Sequence, residues 1–88
     1  MATYKGTTGT GFEFEIDENA IDMELMDSIA DAGDNEIYIG RVIGRMLGKE
    51  QKKAFYNHLR EKYGNVPIDK ASECLTDFFN AVTAGKNC

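Results

Sequence analysis

The chain has no tryptophan, a single proline, a single histidine and only two cysteines in 88 residues. Two cysteines are too few for a disulfide framework. Cys74 stands among apolar residues at helical spacing and Cys88 is the last residue, so a buried free thiol and a loose terminal thiol are expected. His58 has no cysteine or histidine partner at metal-ligand spacing, which argues against a zinc site. No apolar run approaches the roughly 20 residues that a membrane span requires. The opening MATYKGTTGTG lacks the apolar stretch of a signal peptide. A cytoplasmic protein without a membrane partner is therefore expected. Hydrophobic residues make up 42% of the chain, enough for one core. A chain this short buries only about 60–65% of its unfolded surface, so the stability margin is thin.

Charge of one sign is also missing from long stretches. Between Phe12 and Glu36 there are ten acids and no base. Between Ile37 and Asn65 there are seven bases, Arg41, Arg45, Lys49, Lys52, Lys53, Arg60 and Lys62, against Glu50 and Glu61. The last third is close to balanced. The simpler reading is internal complementarity, with an acidic helix lying near basic ones. The other is a two-signed surface for protein partners or for copies of the chain, where charge sets orientation and encounter rate more than affinity. Nucleic acid is excluded as a partner: with a net charge of −5, the acids of so small a domain repel phosphate.

What is present is mostly helical pattern. Residues 1–11 are rich in glycine and threonine and read as a flexible segment. Phe12, Phe14 and Ile16 alternate with Glu13 and Glu15 as a short half-buried strand. That strand needs a partner, either NVPI (65–68) or another chain. Ile21, Leu25, Ile29 and Ala32 repeat at i, i+4 and mark a first helix, with Asp17 or Asn19 as its cap and Gly33 as its stop. A second helix begins near DNE (34–36) and ends at Gly48. A third runs from about Lys49 to Tyr63 on the stripe Phe55, Leu59 and Tyr63, and Gly64 closes it. A fourth follows Pro67, a residue suited to helix entry, with Ala71, Cys74, Leu75, Phe78, Phe79 and Val82 as its apolar face. The expected fold is mainly α, a small bundle of about four helices with one short N-terminal β-strand. It forms a single domain over 12–83, between flexible segments at 1–11 and 84–88.

Gly40 and Gly44 fall on one stripe of the second helix, although each costs about 1 kcal/mol relative to alanine. Small residues four apart let another backbone approach closely. The favoured reading is a tight crossing by another helix of the same domain. The other is a helix weak enough to rearrange.

Catalytic patterns are scarce. Ser28, Ser72 and Cys74 have no nucleophile elbow or oxyanion loop around them. DAGDNEIYIG (31–40) lacks the ligand alternation, central glycine and final glutamate of a calcium-binding loop. The glycines of TTGTG precede a strand instead of opening a helix, so no phosphate cradle is present. No catalytic residue, cofactor or metal is expected. Asp27-Ser28-Ile29 resembles the modified Asp-Ser-Leu of small acidic carrier proteins that bear phosphopantetheine. In those proteins the serine starts a helix after a glycine-containing loop, whereas Ser28 comes late in one.

Taken in order, the opening FEFEIDENAIDMELMDSIADA, then LGKEQKKAFYNHLR, then GNVPIDKASECLTDFF, resemble the small tail assembly chaperones of long-tailed bacteriophages and prophages, from about Phe12 to Val82. The resemblance lies in packing and turn patterns. It implies a non-enzymatic protein of the bacterial host cytoplasm, absent from the mature virion. Such a protein binds the long helical tape-measure protein, keeps it soluble and helps recruit tail-tube subunits, often in several copies. The alternatives are the carrier modified on Ser28 and a small regulatory protein-binding module. Candidate contact residues are Phe12, Phe14 and Ile16 of the strand, Gly40 and Gly44, and Phe78, Phe79 and Val82 of the last helix. For Phe78, Phe79 and Val82 burial in the core is the favoured role, because aromatic helix stripes are commonly buried.

Overall fold

The computed structural model describes residues 3–86. Cys88 and the end of the 84–88 segment lie outside them. The elements are β1 (Thr3–Thr7), β2 (Glu13–Asp17), α1 (Met23–Asp34), α2 (Ile39–Tyr63) and α3 (Ile68–Lys86). The fold is mainly helical, with three α-helices and a two-stranded sheet.

The sheet corrects the expectation of one strand. β1 and β2 form an antiparallel hairpin in which Tyr4 faces Ile16 and Gly6 faces Phe14. The strand's partner is thus the chain immediately before it, within the segment expected to be flexible, and not 65–68. The turn closes on itself: Thr8 exchanges backbone contacts with Phe12 and Gly11, and the Thr8 hydroxyl accepts from the Phe12 amide at 3.0 Å. Phe14 and Ile16 point into the core and Glu13 and Glu15 point out. The outer edge of β2 is closed by a side chain. The Gln51 amide accepts from Glu15 N at 2.9 Å and donates to Glu15 O at 2.6 Å, standing in for the peptide of a third strand. This satisfies an edge that would otherwise invite pairing with another chain.

The acidic segment folds in two steps. Asp17 caps a short 3₁₀ turn, Glu18–Ala20. Asp22 then caps α1, its carboxylate accepting from Leu25 N at 2.9 Å. The cap expected at Asp17 or Asn19 therefore belongs to the turn, and the helix proper starts later. Gly33 does not stop α1. It lies in the last turn, and the chain leaves through Asn35, whose side chain caps a second 3₁₀ turn, Glu36–Tyr38.

The expected second and third helices are joined as α2, with a break at Gly48, where φ is 83° and ψ is 164°. That region is open only to glycine. The break swings the second half of α2 back over the first. Tyr56 Oη would lie 3.0 Å from a methyl placed on Gly40, and Lys52 Cδ would lie 3.3 Å from one on Gly44. The crossing element that the two glycines admit is the same helix beyond its own bend. A methyl on Gly48 itself meets nothing within 4 Å, so Gly48→Ala isolates backbone strain from packing. It is expected to cost about 1–3 kcal/mol, read as a lower urea midpoint with unchanged slope. An unchanged midpoint would contradict the bend. Gly64, at φ 84°, closes α2 with its N–H on Arg60 O at 2.8 Å.

The core lies where the hairpin, both halves of α2 and α3 meet. Phe78 sits edge-on to Phe14 at 4.7 Å and to Phe55 at 5.4 Å, and Phe12 adds a tilted contact with Phe55 at 5.3 Å. Ile16, Val42, Ile43 and Leu59 are fully buried around them. α3 continues to Lys86, past the point where the tail was expected to begin.

Candidate interaction surface

The polar residues that invite a catalytic reading are engaged in holding the fold together. Ser28 is buried, and its hydroxyl donates to Glu24 O at 3.1 Å, one turn back in α1. A carrier serine must be reached by a transferase, and this one faces the core. His58 Nε2 pairs with the Thr10 hydroxyl at 3.1 Å while its ring packs on Phe12. Thr10 also meets Cys74 Sγ at 3.6 Å, and its carbonyl accepts from Lys62 Nζ at 3.1 Å. With Gly9 N donating to Asp77 Oδ2 at 2.9 Å, the network pins the hairpin turn to α2 and α3. Among the described residues no group of three or more His, Cys, Asp or Glu side chains could hold a metal. No helix among them is long and apolar enough to cross a membrane.

The residues expected to make contacts divide clearly. Phe14, Ile16, Phe78 and Val82 are buried. Phe12 is half-buried between Phe55 and His58. Gly40 and Gly44 are half-buried beneath Tyr56 and Lys52. Burial pushes the Tyr56 phenol above its ordinary pKa. Phe79 is half-buried and, with the edge of Val82, lines an open apolar surface.

That surface is a groove between α1 and α3. One part, of about 320 Å³, is lined by Ile21, Leu25, Met26 and Ile29 from the α1 side and by Phe79, Val82 and Thr83 from α3, over Met46. The next, of about 260 Å³, is lined by Ile29, Ala32 and Gly33 and by Leu75 and Phe79, over Ile39 and Val42. Ile29 and Phe79 belong to both, so the two parts lie next to each other between the same helices. The lining order shows that α1 and α3 run in opposite directions along it. No charged side chain lines either part. Along α3 the groove runs from Leu75 to Thr83, about 12 Å at 1.5 Å per residue.

The groove exists because α1 and α3 both pack on the first half of α2 and leave a gap between them. Met26 on its α1 lip is 44% exposed. Met23, Ile37 and Ile68 stand 72%, 76% and 63% exposed elsewhere on the surface. An apolar groove with an exposed methionine on its lip has the character of an interaction surface. Methionine suits one that must fit varied partners. The sequence signal was the width of the α1 stripe, which Met26 extends beyond Ile21, Leu25, Ile29 and Ala32.

Charge is paired across α1 and α2 at one place among the described residues, Glu24 with Arg45 at 3.6 Å. Comparison of the chain with protein-family models, with curated proteins and with solved structures finds no match in any of the three.

Proposed function

We propose that this protein is a non-enzymatic assembly chaperone of the phage tail type, which holds a helical segment of a tape-measure protein in the groove between α1 and α3. The observation that carries this reading is the uncharged groove itself, left open by a domain whose other apolar side chains are largely used in its core. A client helix laid in such a groove anchors through residues at i, i+3 or i+4 and i+7. Those anchors span about 10 Å of helix, which the Leu75–Thr83 wall accommodates. Holding requires no bond chemistry, in keeping with the structural roles of Ser28 and His58. The sequence resemblance supplies the identity of the client, the second contact with tail-tube protein, the host cytoplasm as its place of action and its absence from the finished particle.

Co-expression tests the reading. Co-expressed with a tape-measure protein from the same genome, this protein is expected to co-purify and to keep that product in the soluble fraction. A client that aggregates equally with and without it would overturn the proposal.

A further inference from the structure

Two exposed helix faces carry opposite charge that the monomer leaves unpaired. On α1, Met23, Asp27, Ala30 and Asp34 follow one another at i, i+4, i+7 and i+11, with Asp31 beside them, and all are exposed. On the second half of α2, Lys49, Lys53, Tyr56 and Arg60 follow the same spacing. Lys52 lies over the Tyr56 ring at 5.5 Å. Among the described residues none of Asp27, Asp31, Asp34, Lys49, Lys53 and Arg60 has an ion-pair partner, the three pairs formed being Lys5–Glu15, Arg45–Glu24 and Lys70–Glu73. A shallow depression of about 340 Å³ opens between the lysines, floored by Tyr56 and Asn57. The acidic face in turn offers an apolar projection, Met23, 72% exposed.

We propose that a second copy of this chain docks here, with the acidic face of α1 on one copy against the basic face of α2 on the next. A parallel register sets Asp27 opposite Lys53, Ala30 opposite Tyr56 and Asp34 opposite Arg60. The contact joins unlike faces and leaves the α1–α3 groove free, since the groove opens on the Met26 side of α1. It is independent of what the groove binds. A single pair of helix faces gives a small, weak interface. Its effect grows when copies are held side by side on one long client, because each neighbour then acts at high effective concentration.

Sedimentation velocity of the purified full chain tests this. At about 0.1 M salt the Debye length is about 10 Å, so facing helices attract while the net charge of whole molecules is screened; at about 1 M it falls to about 3 Å. The mass is expected to rise with protein concentration in the first condition and to fall to that of a monomer in the second. Asp27→Lys/Asp34→Lys and Lys53→Glu/Arg60→Glu should each be monomeric alone and should associate when mixed in equal amounts. All four positions are exposed, and circular dichroism checks that the fold is kept. A wild-type chain that stays monomeric at every concentration, or reversed variants that do not complement each other, would overturn the proposal.

Discussion

Phe78→Ala is expected to remove about 3–5 kcal/mol of stability, the range for deleting a buried phenylalanine. Phe78 is fully buried and touches Phe14 of the hairpin and Phe55 of α2 edge-on, from its own place on α3. It joins all three parts by direct ring contact. At roughly 0.05–0.15 kcal/mol per residue, an 88-residue domain has about 4–13 kcal/mol in total. The loss therefore takes about a quarter of the stability at the least, and at the lower end unfolds the protein. Urea unfolding followed by circular dichroism reads the change as a lower midpoint with the slope kept. A loss below about 1 kcal/mol would mean that the three parts do not share a core.

The second large effect concerns binding and should leave stability nearly untouched. Met26 and Thr83 stand on opposite lips of the groove, from α1 and α3, and both are exposed. Met26→Asp/Thr83→Asp puts a carboxylate on each lip. A client helix that laid apolar residues there would have to strip water from unpaired charge. At least a tenfold loss of client affinity follows if only about 1.4 kcal/mol is lost. The fold should lose no more than the few tenths of a kcal/mol usual for surface changes. The contrast with Phe78→Ala separates the two roles of apolar surface in this chain.

Much of the fold was legible because its core stripes are strongly periodic. Phe55 and Leu59, and Ala71 through Val82, announce the two helices that carry most of the core. Gly64 is read correctly as a stop because nothing competes with it. Gly33 was misread because Asp22 and Asn35 set the ends of α1 through their side chains, which a glycine count does not weigh. β1 escaped notice for a physical reason. Its inward positions are Tyr4 and Gly6, so the alternation that marks a half-buried strand is nearly absent. What fixes it is the Thr8–Phe12 turn and the register against Phe14 and Ile16. The cluster Thr8-Gly9-Thr10-Gly11 directly before an alternating run was the available hairpin signal.

The groove was less legible than the fold. Periodicity shows that Ile29, Phe79 and Val82 face inward. It does not show that α1 and α3 stop short of each other and leave an opening. The same holds for the charged thirds: composition separates them, but only the placed side chains show that Asp27, Asp34, Lys53 and Arg60 are left unpaired. Gly40 and Gly44 were expected to admit another helix backbone, and what lies over them is the side-chain ends of Tyr56 and Lys52. The partner turned out to be the same helix, because the Gly48 break turns one long segment back on itself.

The most direct test of the groove proposal is retention of the proposed tape-measure client by the wild type and by Met26→Asp/Thr83→Asp, measured side by side at equal protein concentration and with matched thermal melts. The expected result is a client that remains in solution with the wild type and sediments with the variant. Equal retention by both would contradict the groove as the holding surface.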